Sequence, residues 1–294
     1  MASTDAVSEG DLEAVKAALG GITARVTAAV SARSAADQNA QPCDLVAVSK
    51  TKPVALLQAV YDCGQRRFGE NYMQELMDKA PQLPQDIIWY FIGHLQSNKA
   101  KKLVEAVPNL AVVETVDSLK LAKKLDAGVA DSGMSGRVLG IYLQVNTSGE
   151  ESKSGLSWPG PAAAELATAV AAQCPHLKVA GLMTIGAPGD LTCFDRLVAC
   201  RAAVAEALAL KSGEELALSM GMSGDFEDAI ACGATSVRVG SSIFGARAYT
   251  ASKPPPPQAA EAAVSSAAPP PPPPPAPPAS ESSSSSSASI HDAG

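Results

Sequence analysis

The chain has 294 residues, 46% hydrophobic and 18% charged, with 23 basic against 30 acidic side chains and a net charge of −7. That balance argues against a protein that holds nucleic acid on a basic surface, and no apolar run approaches the about 20 residues of a membrane-spanning helix. The amino terminus carries Asp5, Glu9, Asp11 and Glu13 with no apolar core, so neither a secretory signal nor a basic transit peptide is read and a cytoplasmic location is expected.

Leu12, Val15, Leu19, Ile22, Val26 and Val30 recur at spacings of three and four behind a Ser8/Asp11 capping box, which predicts a leading amphipathic helix. Short β-rich runs then follow at Leu45–Val48, Arg66–Phe68, Ile87–Phe91, Ala111–Glu114, Val138–Val145, Val179–Met183, Leu216–Leu218 and Ser236–Val239, eight strands in all. Between them lie helical patterns at Pro53–Cys63, Asn71–Ala80, Asp117–Val129, Pro161–Gln173, Phe194–Leu210 and Asp225–Cys232. Helices between strands require parallel pairing. Eight strands in a body of about 250 residues fit a single (β/α)8 TIM-type barrel better than an open doubly wound sheet, whose Gly-rich opening turn is missing.

From residue 251 the composition changes: thirteen of the 22 prolines fall between Pro254 and Pro278, followed by Ser282–Ser287. Such a segment cannot bury enough apolar surface to offset its ordering entropy, so residues 251–294 are expected to be a disordered tail on a barrel of residues 1–250. Its prolines should sample polyproline II and could dock on SH3, WW or profilin-type surfaces; a passive tail is the plainer alternative. Six cysteines, at positions 43, 63, 174, 193, 200 and 232, form no CxxC pair and have no histidine cluster beside them, so they read as reduced thiols and no metal site is expected.

On a barrel the chemistry sits where strands end. Lys50 follows the first strand in the tight connection Ser49–Lys52, closed by Pro53. Leu218–Phe226, with Ser223 and Gly224, and Val237–Gly245, with Gly240, Ser241 and Ser242, each join a strand end to a helix start through small and hydroxylic residues. Paired turns of this kind after the last two strands suit a phosphate, although N-capping by serine accounts for either one alone. Arg238 alternates with Val237 and Val239, so its guanidinium should point into the barrel toward a core carboxylate or a ligand acceptor. Asn71 suits a helix cap or a ligand contact. Lys99, Lys101 and Lys102 read as a solvated helix face, and His94 has no metal or triad companions. A strand-end lysine with a phosphate site across the mouth points to a phosphorylated aldehyde held as a Schiff base. Pyridoxal phosphate and a sugar phosphate in a class I aldolase satisfy this equally.

Five ordered segments then resemble one family, the pyridoxal phosphate homeostasis proteins of the YggS/PROSC group, across Leu45 to Tyr249. They are Ala47–Pro53, Phe68–Tyr72, Phe91–Gln96 with Asn98 and Lys99, Leu218–Ser223, and Val237–Arg247. The resemblance implies a barrel like the amino-terminal domain of alanine racemase, a Schiff base between Lys50 and pyridoxal 5'-phosphate, and phosphate contacts from Ser223, Gly224, Gly240 and Ser241. It further implies Asn71 as a cofactor neighbour and Arg238 facing the pyridine nitrogen. Tyr90 stands where many members have histidine, and Ser241 where many have threonine. The implied function is intracellular vitamin B6 homeostasis by a non-catalytic monomer, with no catalytic residues assigned and apo pyridoxal phosphate enzymes as partners. An amino-acid racemase is the alternative, but it needs a second base that nothing after Tyr249 is expected to provide.

Overall fold

The computed structural model of the chain describes residues 7–36, 41–211 and 215–246; the tail and the domain boundary at residue 250 lie outside them. Helix α1 (Glu9–Ala36) begins at the expected capping box, with the Asp11 N–H donating to Ser8 Oγ at 3.1 Å and the Ser8 N–H to Asp11 Oδ2 at 3.0 Å. Its stripe of Val15, Leu19, Ile22 and Val26 is buried.

The strands are β1 (Asp44–Val48), β2 (Arg67–Glu70), β3 (Ile88–Phe91), β4 (Leu110–Val116), β5 (Leu139–Asn146), the two-residue β6 (Leu156–Ser157), β7 (Leu177–Met183), β8 (Ala217–Ser219) and β9 (Ser236–Val239). Helices α2 (Val54–Asp62), α3 (Met73–Lys79), α4 (Ala100–Ala106), α5 (Leu119–Asp131), α6 (Ala162–Gln173), α7 (Thr192–Ala207), α8 (Phe226–Ala231) and α9 (Ser241–Phe244) alternate with them. All pairings are parallel. The order β1-β2-β3-β4-β5-β7-β8-β9 closes when β9 returns to β1, giving an eight-stranded barrel preceded by a helix; β6 only flanks β5. Helix α1 packs on α2, α8 and α9, across the β9–β1 seam.

Alternation along the strands sorts the side chains into two layers. Ala47, Phe68, Trp89, Ile141, Leu218 and Val239 pack outward under the helices, with the Phe68 and Trp89 rings 5.8 Å apart. Val46, Tyr90, Val112, Tyr142 and Met183 fill the interior. Helix α5 shows the helical counterpart: Leu121, Leu125 and Val129 are buried while Lys120, Lys123 and Lys124 face solvent, and Ser118 caps its start by accepting the Leu121 N–H. Among the described residues no helix is long and apolar enough to cross a membrane, and no group of three or more His, Cys, Asp or Glu is placed to hold a metal ion.

Local details depart from the sequence reading. Strand β2 continues through Gly69 and Glu70, because Ser49 N–H donates to Gly69 O and Ile92 N–H to Glu70 O, each at 2.9 Å. Helix α3 consequently starts late, with Tyr72 in the N-cap position and making no side-chain capping bond to the helix, so Asn71 is not the cap. Pro53 is extended, with ψ 151°, and α2 begins one residue later. Helix α7 starts two residues early, where Asp190 Oδ1 accepts the Thr192 N–H, and stops before Ala209, whose φ is 50°. The two-residue β6 has no counterpart in the sequence reading, whereas α4 falls on the helix face read at Lys99–Lys102 and α9 on the helix start read after Val239.

A Cβ at Gly93 would stand 1.9 Å from the Asn71 carbonyl oxygen, whereas one at Gly20 of α1 meets nothing within 4 Å. In urea unfolding followed by circular dichroism, Gly93→Ala should therefore lose about 3 kcal/mol. Gly20→Ala should gain up to about 1 kcal/mol.

Candidate functional site

Parallel closure brings every strand's carboxyl end to one rim. There Lys50 follows β1, Asn71 follows β2, Ser223 and Gly224 follow β8, and Gly240 and Ser241 follow β9. Because β1 lies between β2 and β9, the Lys50 turn sits between the Asn71 turn and the Gly240–Ser241 turn. The two small-residue turns meet, the Gly240 N–H donating to Ser223 Oγ at 3.4 Å. Gly240 also lies close to β1, where a Cβ would stand 3.1 Å from the Val48 carbonyl oxygen, a tight contact. Asn71 Oδ1 is buried with no hydrogen-bond partner.

The Lys50 turn is held from below. Its neighbour Thr51 has φ 64°, left-handed backbone that costs a β-branched residue about 1–3 kcal/mol. The Thr51 N–H donates to Glu75 Oε2 at 2.7 Å. The Ser49 carbonyl accepts the Lys52 N–H at 3.1 Å and the Lys79 ammonium at 2.9 Å. Lys79 Nζ also pairs with Glu70 Oε1 at 2.8 Å and Glu75 Oε2 at 2.9 Å, and Ser49 Oγ donates to Glu70 Oε1 at 2.7 Å. Glu70 is fully buried; burial pushes its carboxyl above the usual range, and Lys79 and Ser49 oppose the shift. Lys52 Nζ donates to the Ala246 carbonyl at 2.7 Å, and its partial burial lowers its pKa.

Arg238 points inward as its alternation predicts, and it finds a core carboxylate. Nη1 lies 3.7 Å from Glu114 Oε2 and donates to Ser219 Oγ at 2.5 Å, while Nη2 donates to the Thr184 carbonyl at 2.7 Å. Ser219 Oγ in turn donates to Glu114 Oε2 at 2.7 Å. Burial raises the Glu114 carboxyl and depresses the Arg238 pKa, each partner opposing the other's shift. Glu114 Oε1 has no hydrogen-bond partner. The sequence calls only for such a partner; Glu114, two residues from the inward-facing Val112 on β4, supplies it. Tyr90 is buried in the interior cluster and His94 is exposed.

A closed barrel with a lysine behind its first strand and paired small-residue turns behind its last two defines a class, and the family model described as alanine racemase, N-terminal domain, matches residues 28–248. A relative from Bos taurus named pyridoxal phosphate homeostasis protein is 47% identical over 79% of this chain and 87% of its own, and the Homo sapiens protein of that name is 44% identical over 80% and 88%. PipY of Synechococcus elongatus PCC7942, solved with PLP bound, superposes with a TM-score of 0.57 at 35% identity over 74% of this chain and all of its own. The chain belongs to the pyridoxal phosphate homeostasis protein family.

Removing Arg238 leaves a buried carboxylate unpaired, so Arg238→Met should destabilise the fold by about 3–5 kcal/mol near neutral pH. A carboxyl whose folded pKa is raised contributes stability below its unfolded value, about 4.3, and loses it as pH rises. The deficit should therefore shrink toward acid in urea titrations run at about pH 5 and about pH 7.5. Adding Glu114→Gln should restore part of the loss near neutrality.

Proposed function

We propose that this chain binds pyridoxal 5'-phosphate and serves in its homeostasis, holding it as a Schiff base on Lys50 without catalytic turnover. The observation that carries the reading is the junction of the Ser223 and Gly240–Ser241 turns beside the strand that delivers Lys50. The relatives' name and the PLP-bound PipY structure support it.

Bound there, the cofactor supplies an aldehyde that condenses with an amine and a pyridine ring able to withdraw electrons. The residues present fit that group: Asn71 Oδ1 is an orphaned buried acceptor, and Arg238 is a cation fixed by three partners. Lys50 provides the amine and must be neutral to act as a nucleophile. Ser223 and Ser241 offer hydroxyls, and Gly224 and Gly240 open backbone, to the phosphate dianion; Asn71 completes the ring's surroundings. Arg238 is assigned to the ring nitrogen. A guanidinium does not surrender its proton, so it keeps that nitrogen unprotonated and discourages the carbanion chemistry of most enzymes of this cofactor. Apo-enzymes that require the cofactor are the proposed recipients.

Racemase activity is the second reading, favoured by the match to an alanine racemase domain. Solvent-deuterium exchange into alanine or serine separates the two, and the carrier reading expects none. In the same preparations, protein mixed with pyridoxal phosphate should absorb in the imine region and retain one label after borohydride reduction. Lys50→Ala should abolish that label; full covalent label in the variant would overturn the assignment.

A further inference from the structure

We infer that Lys79, Glu70 and Glu75 form a charged clamp that sets the conformation of the Ser49–Thr51 turn and so positions the Lys50 amine. The inference rests on Lys50 being the covalent anchor, and it concerns residues outside the cofactor contacts proposed above.

The clamp grips the turn on both sides of Lys50. On the amino-terminal side, the Lys79 ammonium donates to the Ser49 carbonyl at 2.9 Å, and the Ser49 hydroxyl donates to Glu70 at 2.7 Å. On the carboxyl-terminal side, Glu75 accepts the Thr51 amide at 2.7 Å. Lys79 joins the halves, lying 2.8 Å from Glu70 and 2.9 Å from Glu75. Glu70 is fully buried, and the Lys79 side chain is only 9% exposed. Two charges taken that far from water are costly unless their geometry is satisfied, and replacing such pairs by apolar residues is often neutral or stabilising. Fold stability is therefore a weak reason for this cluster.

The backbone gives a better one. Thr51 is one of two non-glycine residues with positive φ among those described, and it adjoins the proposed anchor. A β-branched residue keeps that conformation only when its surroundings over-determine it, and the Glu75 carboxylate on the Thr51 amide supplies part of that constraint. Lys79 donates to the Ser49 carbonyl while pairing with Glu75, so the peptide groups flanking Lys50 are referred to one ammonium. The direction in which Lys50 leaves the backbone is thereby fixed before any ligand arrives, which is the condition for rapid condensation with an aldehyde.

The test compares full-length wild type with Glu75→Ala, Glu75→Gln and the double variant Glu70→Gln/Lys79→Met, which removes the buried pair without stranding either charge. Two quantities are read: hydrogen exchange at the Thr51 amide without cofactor, and the rate of imine absorbance after mixing with pyridoxal phosphate. Exchange should accelerate at least tenfold, and imine formation slow at least tenfold, in Glu75→Ala and in the double variant. Glu75→Gln keeps an acceptor for the Thr51 amide and should recover most of both. Affinity for inorganic phosphate, measured by calorimetry, should stay within twofold, because the clamp does not touch the Ser223 and Gly240 turns. Unchanged imine rates in folded Glu75→Ala would overturn the inference, as would a phosphate affinity falling in step with the rate. A wild type that forms no reducible imine would instead sink the Lys50 reading, and the exchange data would still report whether the turn is clamped.

Discussion

A parallel barrel permits only one arrangement of its ends. Each strand must be re-entered from the same side, so every carboxyl terminus, with whatever residue follows it, collects on a single rim once the pairing of β9 with β1 closes the ring. That constraint makes neighbours of residues from the first and last strands: Val46 stands opposite Arg238 and Ala47 opposite Val239. Lys50, Gly240 and the Ser223 turn are then adjacent by topology, with no need for long loops to carry them together. The glycine at 240 suits this packing, since a Cβ there would sit tightly, at 3.1 Å, against the Val48 carbonyl at the end of β1.

The barrel also encloses charge, and it does so in two separate places. In the interior, Arg238 and Glu114 share Ser219 as a bridging hydroxyl, so the ion pair is also a hydrogen-bonded chain. Near the rim, Lys79 and Glu70 lie between β2, α3 and the Lys50 turn. Neither arrangement is what an apolar core of this size would need for stability. Each places fixed charge next to a residue that the family resemblance assigns to the cofactor.

Much of this was legible in the chain. The eight barrel strands stand out because β-branched and aromatic runs recur between helical periods, and the family motifs fall on the strand ends. Helix α1 could be read nearly residue by residue from its stripe and its Ser8/Asp11 box. Arg238 could be oriented because strand side chains alternate, but its partner could not be named, since Glu114 lies four strands away around the barrel and alternation carries no information about who faces whom. Lys79 and Glu75 were hidden for a related reason: on a helix they pass for one more i, i+4 surface pair, and only the tertiary fold reveals that the Lys50 turn lies over them. Of the two roles open to Asn71, cap and ligand contact, the cap is excluded because β2 runs two residues further than its apolar core, a length set by ladder bonds to β1 and β3.

The seam between β1 and β9 has a consequence for how the molecule is made. A ribosome delivers β1 early, and its second edge has no partner until β9, the final strand of the ring, has been synthesised. Ring closure is thus the most sequence-distant strand pairing in the barrel and waits for nearly all of it to be made. Helix α1, which precedes β1 and rests on α2, α8 and α9, spans that join like a strap across a barrel hoop. It can bridge the seam only once the α8–α9 region exists, so nascent chains shorter than this should be the ones most dependent on chaperone protection.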